Sequence, residues 1–406
     1  STLEPGSTLA FTFSNVLNRV TVIPAALVVS SSVTSWLNQS AQLPALTAVS
    51  KGWTSSDLTS TQKALRLSSS AGDLSGSLLG TSLAAVVNTK LVVASGSTPN
   101  LVATTVATTS LPSTSGKLVG PVALGKLDSQ FVVAGTTTTG HLIVTHGTTA
   151  KTSWSPVDLT QKLGLPTTAS GVCLSVTKPG STALAVGAVR LSNGHLLQFQ
   201  ATSATAKTFT VTDLTALTGA TLSGTPVCRS SGGTFVVAYR ADSGDLMVLT
   251  SSVTNLSAAL VDVTTASGAS SLAAGPVGLL IANGKVMVSS VSTGGSLLLS
   301  TATLGLSTWS AVNLTATQGL PSGLTNPVLV VTGLQTQLFA VDSSNHLVLV
   351  TNNGSGGTWN AYDLSAAFKL GLAGSGLRAA SSGTVVSVSW LTASRHLGVA
   401  ASSTAI

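Results

Sequence analysis

A unit of about fifty residues recurs along the chain, and this repeat constrains the fold more than any other feature. In a clear copy, Gly140-His141-Leu142 is followed by Trp154 and then by Asp158-Leu159-Thr160. The acidic or amide landmark of successive copies falls at Asp57, Asp158, Asp213, Asp262, Asn313 and Asp363. From the second landmark onward the spacings are 55, 49, 51 and 50 residues, and the first gap of 101 residues spans two periods, with a degenerate copy near Thr108. A fixed period of this size predicts an array of equal units with one continuous core, and hence a single domain over residues 1–406.

Within each unit, apolar and polar residues alternate with a period of two, which is typical of β-strands. The copy at residues 225–264 predicts four of them: Thr225–Arg229, Thr234–Arg240, Asp245–Ser251 and Ala259–Thr264. Gly232-Gly233 and Ser243-Gly244 separate these strands as tight-turn residues. Four short antiparallel strands per unit predict an all-β fold, a β-propeller of four-stranded blades. A β-helix fits less well, because its coils have roughly 20 to 30 residues.

The two ends of the chain predict how such a propeller closes. The last unit supplies strands around Gly383–Leu391 and Arg395–Val399 but stops before an aromatic-Asp-Leu-Thr strand. At the other end, Leu9–Phe13 is apolar, so residues 1–15 are predicted to supply the closing strand and residues 16–406 the repeats. Such closure removes the open sheet edge of a linear array.

The number of blades is predicted from the His-Leu-type strand. Its copies lie near Leu43, Leu101, Leu142, Leu196, Leu246, Leu297, Leu347 and Leu397. Eight copies predict eight blades, with seven as the alternative if the first unit is irregular.

Composition excludes several classes of protein. Charged residues make up 7% of the chain against roughly 25% in ordinary soluble proteins, while 43% are hydrophobic, which argues against disorder. The longest apolar stretch, Val20–Val29, contains Pro24 and is half the roughly 20 residues of a membrane-spanning helix, so no membrane insertion is predicted. The net charge is +7, but the basic residues are scattered singly, so nucleic acid is not a predicted partner. A weakly charged surface rich in hydroxyl groups also lets like copies approach one another.

Two features predict a secreted protein of the cell exterior. The chain begins at Ser1 without Met or a charged leader, which fits a mature protein after removal of a signal peptide. Cys173 and Cys228 stand 55 residues apart at matching places in neighbouring repeats. A disulfide between them would indicate an oxidising compartment. The alternative is two buried thiols that pack as small apolar side chains.

The sequence predicts no catalysis, cofactor or metal site. The aspartates of the repeat recur in blade after blade, as a residue that caps a turn does, whereas an active site needs local asymmetry. The histidines that precede the strand leucines, such as His141 and His195, recur in the same way and are predicted to lie too far apart to share a metal. Asp242 and Asp245 flank one turn, but two carboxylates without a longer acidic loop do not make a calcium site.

Four tryptophans are the candidate binding residues. They precede the Asp-Leu-Thr strand in their repeats: Trp53, Trp154, Trp309 and Trp359. Phe209 and Ala258 occupy the corresponding places in two other repeats. Aromatic faces repeated around a ring can stack on the apolar faces of sugars. The alternative is that these rings pack between blades.

The repeat motif resembles that of a known family. The motif runs Asn193-Gly194-His195-Leu196, then an aromatic residue, then Asp-Leu-Thr, with Gly-Leu-Pro turns at Gly164-Leu165-Pro166 and Gly319-Leu320-Pro321. It is similar to the repeats of secreted bacterial, actinobacterial-type, lectin-like β-propeller proteins. The similarity covers roughly residues 40–400. It implies a non-catalytic extracellular module that recognises a glycan or a cell-surface polymer. The alternative is a structural subunit that assembles with copies of itself into a filament or surface layer.

Overall fold

A computed structural model describes the chain in segments between residues 19 and 402. The described residues are 19–21, 23–24, 53–57, 77–79, 82–87, 90–97, 100–106, 116–127, 130–148, 154–180, 182–201, 208–219, 222–254, 257–269, 271–272, 275–305, 307–320, 322–332, 335–352, 359–368, 373–382, 385–392 and 397–402. Residues 19–106 and 391–402 are described by their backbone.

Thirty strands and five short helices make up the described secondary structure. The strands before residue 107 are β1 Arg19–Thr21, β2 Ile23–Pro24, β3 Trp53–Asp57, β4 Ser77–Leu79, β5 Ser82–Val87, β6 Lys90–Ser97 and β7 Asn100–Val106. The next twelve are β8 Leu118–Leu127, β9 Gln130–Thr137, β10 Leu142–Gly147, β11 Ser155–Asp158, β12 Thr168–Thr177, β13 Leu184–Leu191, β14 Leu196–Ala201, β15 Phe209–Asp213, β16 Ser223–Ser231, β17 Thr234–Arg240, β18 Leu246–Ser252 and β19 Ala258–Asp262.

The remaining strands are β20 Gly278–Ala282, β21 Lys285–Val291, β22 Leu297–Thr303, β23 Ser310–Asn313, β24 Thr325–Thr332, β25 Gln335–Val341, β26 Leu347–Asn352, β27 Trp359–Asp363, β28 Ala373–Ser382, β29 Val385–Thr392 and β30 Leu397–Ser402. The helices, each of five residues, are α1 Leu159–Leu163, α2 Leu214–Thr218, α3 Val263–Ser267, α4 Leu314–Gln318 and α5 Leu364–Phe368. None of the helices in the described residues is long and apolar enough to cross a membrane.

The strands form seven antiparallel sheets. Their strand orders are β4-β5-β6-β7-β1 in sheet 1, β8-β9-β10-β11 in sheet 2, β12-β13-β14-β15 in sheet 3, β16-β17-β18-β19 in sheet 4, β20-β21-β22-β23 in sheet 5, β24-β25-β26-β27 in sheet 6 and β28-β29-β30-β3-β2 in sheet 7. β4 and β2 are additional edge strands, so every sheet contains four strands in a common order. The prediction of an all-β fold built from four-stranded units is therefore confirmed.

Contacts between the sheets follow the order of the chain. The first strand of each sheet contacts the first strand of the next sheet, in the order β5, β8, β12, β16, β20, β24 and β28. Strand β28 in turn contacts β4 of sheet 1. Alternate residues of one strand contribute to different apolar clusters. In β13, for example, Ala185 and Val189 pack in the cluster shared with sheet 2, whereas Val186 and Ala188 pack in the cluster shared with sheet 4. The core is thus a series of layers between neighbouring sheets, as a period of two predicts.

The two ends of each sheet form two rims. The helix rim contains the helices and the turns between second and third strands. Neighbouring sheets are joined there by backbone hydrogen bonds, such as those from the Thr168 amide to the Gly140 carbonyl at 2.7 Å and from the Leu272 amide to the Gly244 carbonyl at 2.8 Å. The hairpin rim lies at the opposite end and contains the turns between first and second strands.

The predicted strands of the copy at residues 225–264 are largely confirmed. The first is longer than predicted, at Ser223–Ser231, and the second, Thr234–Arg240, has the predicted bounds. The fourth ends at Asp262, not at Thr264, because Asp262 caps helix α3. The short helices were not predicted, since five residues are too few to show a helical period.

The prediction of eight blades is not confirmed. Seven of the eight His-Leu-type copies lie at the start of the third strand of a described sheet, and the copy near Leu43 lies outside the described residues. Residues 1–15, predicted to supply the closing strand, also lie outside them. The strand that pairs with β30 at the edge of the last repeat is β3, with Trp53 opposite Ser402 and Asp57 opposite Gly398.

Candidate functional site

The Asp or Asn landmark of the repeat caps a short helix. Its side-chain Oδ1 accepts a hydrogen bond from the amide three residues later, at 2.9 Å from Gln161 to Asp158 and at 2.9 Å from Ala316 to Asn313. The same bond is formed on Asp213, Asp262 and Asp363. Helices α1 to α4 each end at a left-handed glycine, such as Gly164 with φ 64°. The prediction that the repeated aspartate caps a turn is confirmed, because this bond satisfies an otherwise unpaired helix amide.

The Thr or Ser of Asp-Leu-Thr joins two parts of its sheet. Its hydroxyl oxygen accepts a hydrogen bond from the amide of the leucine that begins the third strand, at 2.9 Å between Thr160 and Leu142. The equivalent pairs are Thr215 with Leu196, Thr264 with Leu246, Thr315 with Leu297 and Ser365 with Leu347. The two ends of the sequence signature therefore meet at the helix rim, where the hydroxyl pairs an amide that the strand ladder leaves unpaired.

Within the described residues, three of the sheets add a histidine to this arrangement. His141 Nδ1 lies 2.7 Å from Asp158 Oδ2, His195 Nδ1 lies 2.6 Å from Asp213 Oδ2, and the third pair, His346 and Asp363, is 2.7 Å apart. The pairs differ in exposure. Asp158 is 5% exposed, whereas Asp213 is 35% exposed. Each carboxylate thus binds a helix amide through one oxygen and an imidazole through the other.

The second pair perturbs the protonation of its carboxyl group. Partial burial raises the pKa of Asp213, but the hydrogen bond from His195, together with the amides of Ala216 and Thr215 and the charge of His195, lowers it by more. The net result is a pKa below the ordinary value of an aspartate. The ionised form is favoured because it accepts hydrogen bonds on both oxygens.

Sheets 4 and 5 keep the cap without the histidine. In sheet 4, Asp245 stands in the histidine position, but its Oδ2 accepts from the Ser243 hydroxyl at 2.6 Å, while Asp262 Oδ2 accepts from the Thr265 hydroxyl at 2.6 Å. In sheet 5, Ser296 and Asn313 replace both members of the pair. The histidine is therefore an addition to a turn that forms without it.

This geometry supports a structural role for the histidines. An imidazole held by a carboxylate is also part of catalytic triads. Here the pair recurs in three sheets, and each carboxylate is already bound to a helix amide. Within the described residues, no group of three or more His, Cys, Asp or Glu side chains could hold a metal ion.

Trp154 is buried over its own sheet. It is 2% exposed, and its indole Nε1 donates a hydrogen bond to the Thr148 carbonyl at 3.1 Å. The ring lies so close to Gly147 that a Cβ atom there would meet it at 2.4 Å. The ring therefore presents no open face, and the hypothesis that Trp154 stacks on a sugar is not supported.

The other aromatic residues of this position pack between sheets. Trp309, 7% exposed, belongs to the cluster between sheets 4 and 5, and Phe209, 7% exposed, belongs to the cluster between sheets 2 and 3. Trp359 is half-buried and packs against the cluster between sheets 5 and 6. Trp53 begins β3, and its side chain lies outside the described part. Among the four predicted binding residues, Trp359 alone is described as partly exposed.

The two cysteines join neighbouring sheets. Cys173 in β12 and Cys228 in β16 form a disulfide, with their Cα atoms 5.7 Å apart, inside the cluster between sheets 3 and 4. Beside it, Arg229 Nη1 donates to the Cys228 carbonyl at 3.0 Å, and burial lowers the pKa of this guanidinium. The Ser175 and Ser230 hydroxyls, 2.7 Å apart, and the bond from the Thr177 hydroxyl to the Gly232 carbonyl continue this contact to the hairpin rim.

Comparison with known proteins gives a fold. No family model matches the chain, and no curated protein matches it. Among solved structures, it is similar to the BP39L lectin from Burkholderia pseudomallei, at 16% identity and a TM-score of 0.52, over 82% of this chain and 94% of the lectin. The fold is that of a β-propeller.

Two fungal lectins are similar over a smaller part. The fucose-specific lectin from Aleuria aurantia has 12% identity and a TM-score of 0.46 over 68% of this chain and 89% of its own. AofleA from Arthrobotrys oligospora has 12% identity and a TM-score of 0.45 over 68% of this chain and 80% of its own. At these identities the similarity concerns the fold.

Proposed function

We propose that this protein is a non-catalytic carbohydrate-binding module of the cell exterior, built as a closed seven-bladed propeller. The observation that carries the proposal is the similarity of its fold to a bacterial lectin over 82% of the chain. The recurrence of the His–Asp turn, which fits a scaffold better than an active centre, agrees with a protein that binds without catalysing.

Two observations support a closed ring. β3, from the N-terminal part of the chain, completes the last sheet by pairing with β30. The first strand of that sheet, β28, contacts β4 of sheet 1. Closure of this kind joins an early strand and the late strands of the chain in one blade and leaves no first or last sheet to be capped.

The contact between sheets 5 and 6 near Trp359 is the proposed sugar site. Trp359 packs against the apolar cluster and is half-buried. It pairs with Asn352 across the sheet, so the two side chains lie on the same face. An aromatic side chain beside an amide group provides apolar contact and hydrogen bonds, the two interactions that recognise a sugar.

A glycan array that includes fucosides, followed by calorimetric titration of the hits, tests the proposal. Trp359→Ala should abolish detectable binding of the best ligand, whereas Trp359→Phe, which keeps a ring, should retain most of it. Phe209→Leu, at the buried equivalent position, is the matched control and should bind like the parent. An array without hits, or full binding by Trp359→Ala with an unchanged melting temperature, would overturn the site.

A further inference from the structure

The charges of this protein are separated between its two rims, although they look scattered in the sequence. The described acidic residues all lie at the helix rim: Asp57, Asp158, Asp213, Asp242, Asp245, Asp262, Asp342 and Asp363. Some end a fourth strand, and the others lie in turns between second and third strands. The helix rim also carries Lys117, Lys162, Arg190 and Arg240, so both signs are mixed there.

The hairpin rim carries lysines instead. Lys90 begins β6, Lys126 is the penultimate residue of β8, Lys178 follows β12, and Lys285 begins β21. Sheets 1, 2 and 3 are consecutive, so the first three lysines form an arc along this rim. No carboxylate lies at the hairpin rim among the described residues. In the connecting sequences outside them, Asp128 is outnumbered by Lys151 and Lys207.

The described lysine side chains of this arc reach solvent. Lys126 and Lys178 are exposed, and so is Lys285 two sheets further along. Lys126 Nζ lies 5.9 Å from the centre of the Phe131 ring, a cation–π distance that holds its stem against the sheet. Lysines that outnumber the carboxylates of a surface produce a positive potential, which attracts polyanions over about a Debye length.

We propose that the hairpin rim is a second binding surface, which holds an acidic polysaccharide through the lysine arc. The partner is a carboxylated or sulfated polymer, because spaced single charges match a chain of repeated anions. The lysine arc lies on sheets 1 to 3, whereas Trp359 begins the fourth strand of sheet 6, so the proposal does not depend on the sugar site proposed above.

Other polyanionic partners fit the rim less well. Two large apolar side chains are exposed in the described structure, Leu217 on helix α2 and Val312 on β23. Neither lies in the lysine arc, so the described part of the arc has no exposed apolar side chain to insert into a membrane. Phe131 and Trp154 of sheet 2 and Phe209 of sheet 3 are buried and provide no platform for nucleic-acid bases. The charged residues of the arc are lysines, which attract anions as point charges. Phosphate recognition typically uses arginine, whose guanidinium binds phosphate oxygens in a bidentate manner.

Binding to polygalacturonate and dextran sulfate, measured at 50 and 200 mM salt with neutral dextran as the blank, tests the proposal. The double variant Lys126→Gln/Lys178→Gln should weaken binding roughly tenfold at low salt and reduce the slope of log K against log salt by about two. The matched control Lys117→Gln/Lys162→Gln, which removes the same charge from the helix rim, should bind within about twofold of the parent. All four lysines are exposed, and the melting temperatures should agree.

Several results would overturn the proposal. Equal losses in the two double variants would mean that only net charge matters. Binding to phosphatidylserine vesicles or duplex DNA without binding to either acidic polysaccharide would assign the rim to a different partner. Salt-dependent oligomers in sedimentation experiments, with no polymer binding, would assign it to a second copy of the chain. Trp359→Ala should leave polyanion binding unchanged, so the two proposals fail separately.

Discussion

The helix-rim turns of sheets 3 and 5 show which contacts build the repeat and which are added to it. In sheet 3 the Ala216 amide donates to Asp213 at 2.9 Å, and in sheet 5 the Ala316 amide donates to Asn313 at the same distance. The Leu–Thr bond is 2.9 Å in both sheets. Only sheet 3 has a histidine on the second oxygen of the capping residue. The cap and the Leu–Thr bond are therefore sufficient for the turn, and the His–Asp pair adds charge and pH dependence.

The same two sheets also differ in how they meet their next neighbour. Sheet 3 is joined to sheet 4 by the disulfide, whereas sheet 5 meets sheet 6 through an apolar cluster that includes Leu280, Leu299 and Leu329. A covalent bond stabilises chiefly by restricting the unfolded chain, and apolar burial acts in proportion to the area removed from water. The two contacts should therefore respond differently to substitution.

Removal of the disulfide should have the largest effect. Cys173→Ala/Cys228→Ala is expected to lower the free energy of unfolding by about 4 kcal/mol, because the bond closes a loop of 55 residues in the unfolded state. Urea denaturation with and without reductant measures this, and reductant should change the parent but not the double variant.

The single variants are the control for this prediction. Either Cys173→Ala or Cys228→Ala alone removes the bond, so each should cost nearly as much as the double variant. Effects of the two single substitutions that simply add up would mean that the cysteines act as independent packing residues.

The helix caps should have the next largest effect, and here the two sheets should differ. Asp213→Ala removes both the cap and the His195 partner and should cost about 2 kcal/mol, whereas Asn313→Ala removes a cap alone and should cost about 1 kcal/mol. Thermal and urea unfolding of the two variants measure the difference. Equal losses would show that the His–Asp pair adds nothing to the stability of sheet 3.

Much of this arrangement could be predicted from the sequence. The period of the repeat, its strands and the capping role of Asp158 and its equivalents follow from local rules that act within one unit. The His–Asp pair was missed, although a signal was present. The repeat with Ser296 in the histidine position also has Asn313 in the aspartate position, and this joint replacement indicates that the two side chains meet.

The relations between units were harder to predict, because they depend on which face of a strand a residue occupies. Cys173 pairs with Ala188, whereas Cys228 pairs with Val237, and the equivalent of Ala188 in β17 is Ala238. The cysteines are thus one residue out of register. This offset turns their side chains toward each other, since equivalent residues of stacked sheets point the same way. The burial of Trp154 depends on Gly147, which a period alone does not reveal.

The strand that pairs with β30 could also have been predicted from the sequence. The last repeat ends without an aromatic-to-Asp strand, and Trp53–Asp57 carries that signature at its full spacing. Residues 1–15 were predicted instead because Leu9–Phe13 is apolar. An apolar run alone does not specify which strand it pairs with. A complete copy of the missing element is the better signal.

Acid should reveal the His–Asp pair of sheet 3 through its pH dependence. The folded-state pKa of Asp213 is lowered below the unfolded value of about 4, so its contribution is present above about pH 4 and is lost as the pH falls through the folded pKa. Asp213→Asn should therefore lose less stability than the parent between pH 5 and pH 2, as measured by urea midpoints. Asn313→Ala, which has no titrating group, should lose stability in parallel with the parent. An Asp213→Asn curve as steep as the parent's would contradict the assignment.

The smallest expected effect is a gain, obtained by giving sheet 4 the histidine that it lacks. Asp245→His removes one of two neighbouring carboxylates and places an imidazole where His141 and His195 lie in sheets 2 and 3. The expected gain is about 0.5 kcal/mol, since partly exposed pairs contribute little, and it should be larger below the ordinary histidine pKa of about 6.5 and smaller in high salt. Ser296→His is the matched control, because its partner Asn313 carries no charge and can gain only a neutral hydrogen bond. An equal gain in both variants would mean that the ring packs favourably at this turn without its carboxylate, and that charge is irrelevant to the difference between the sheets.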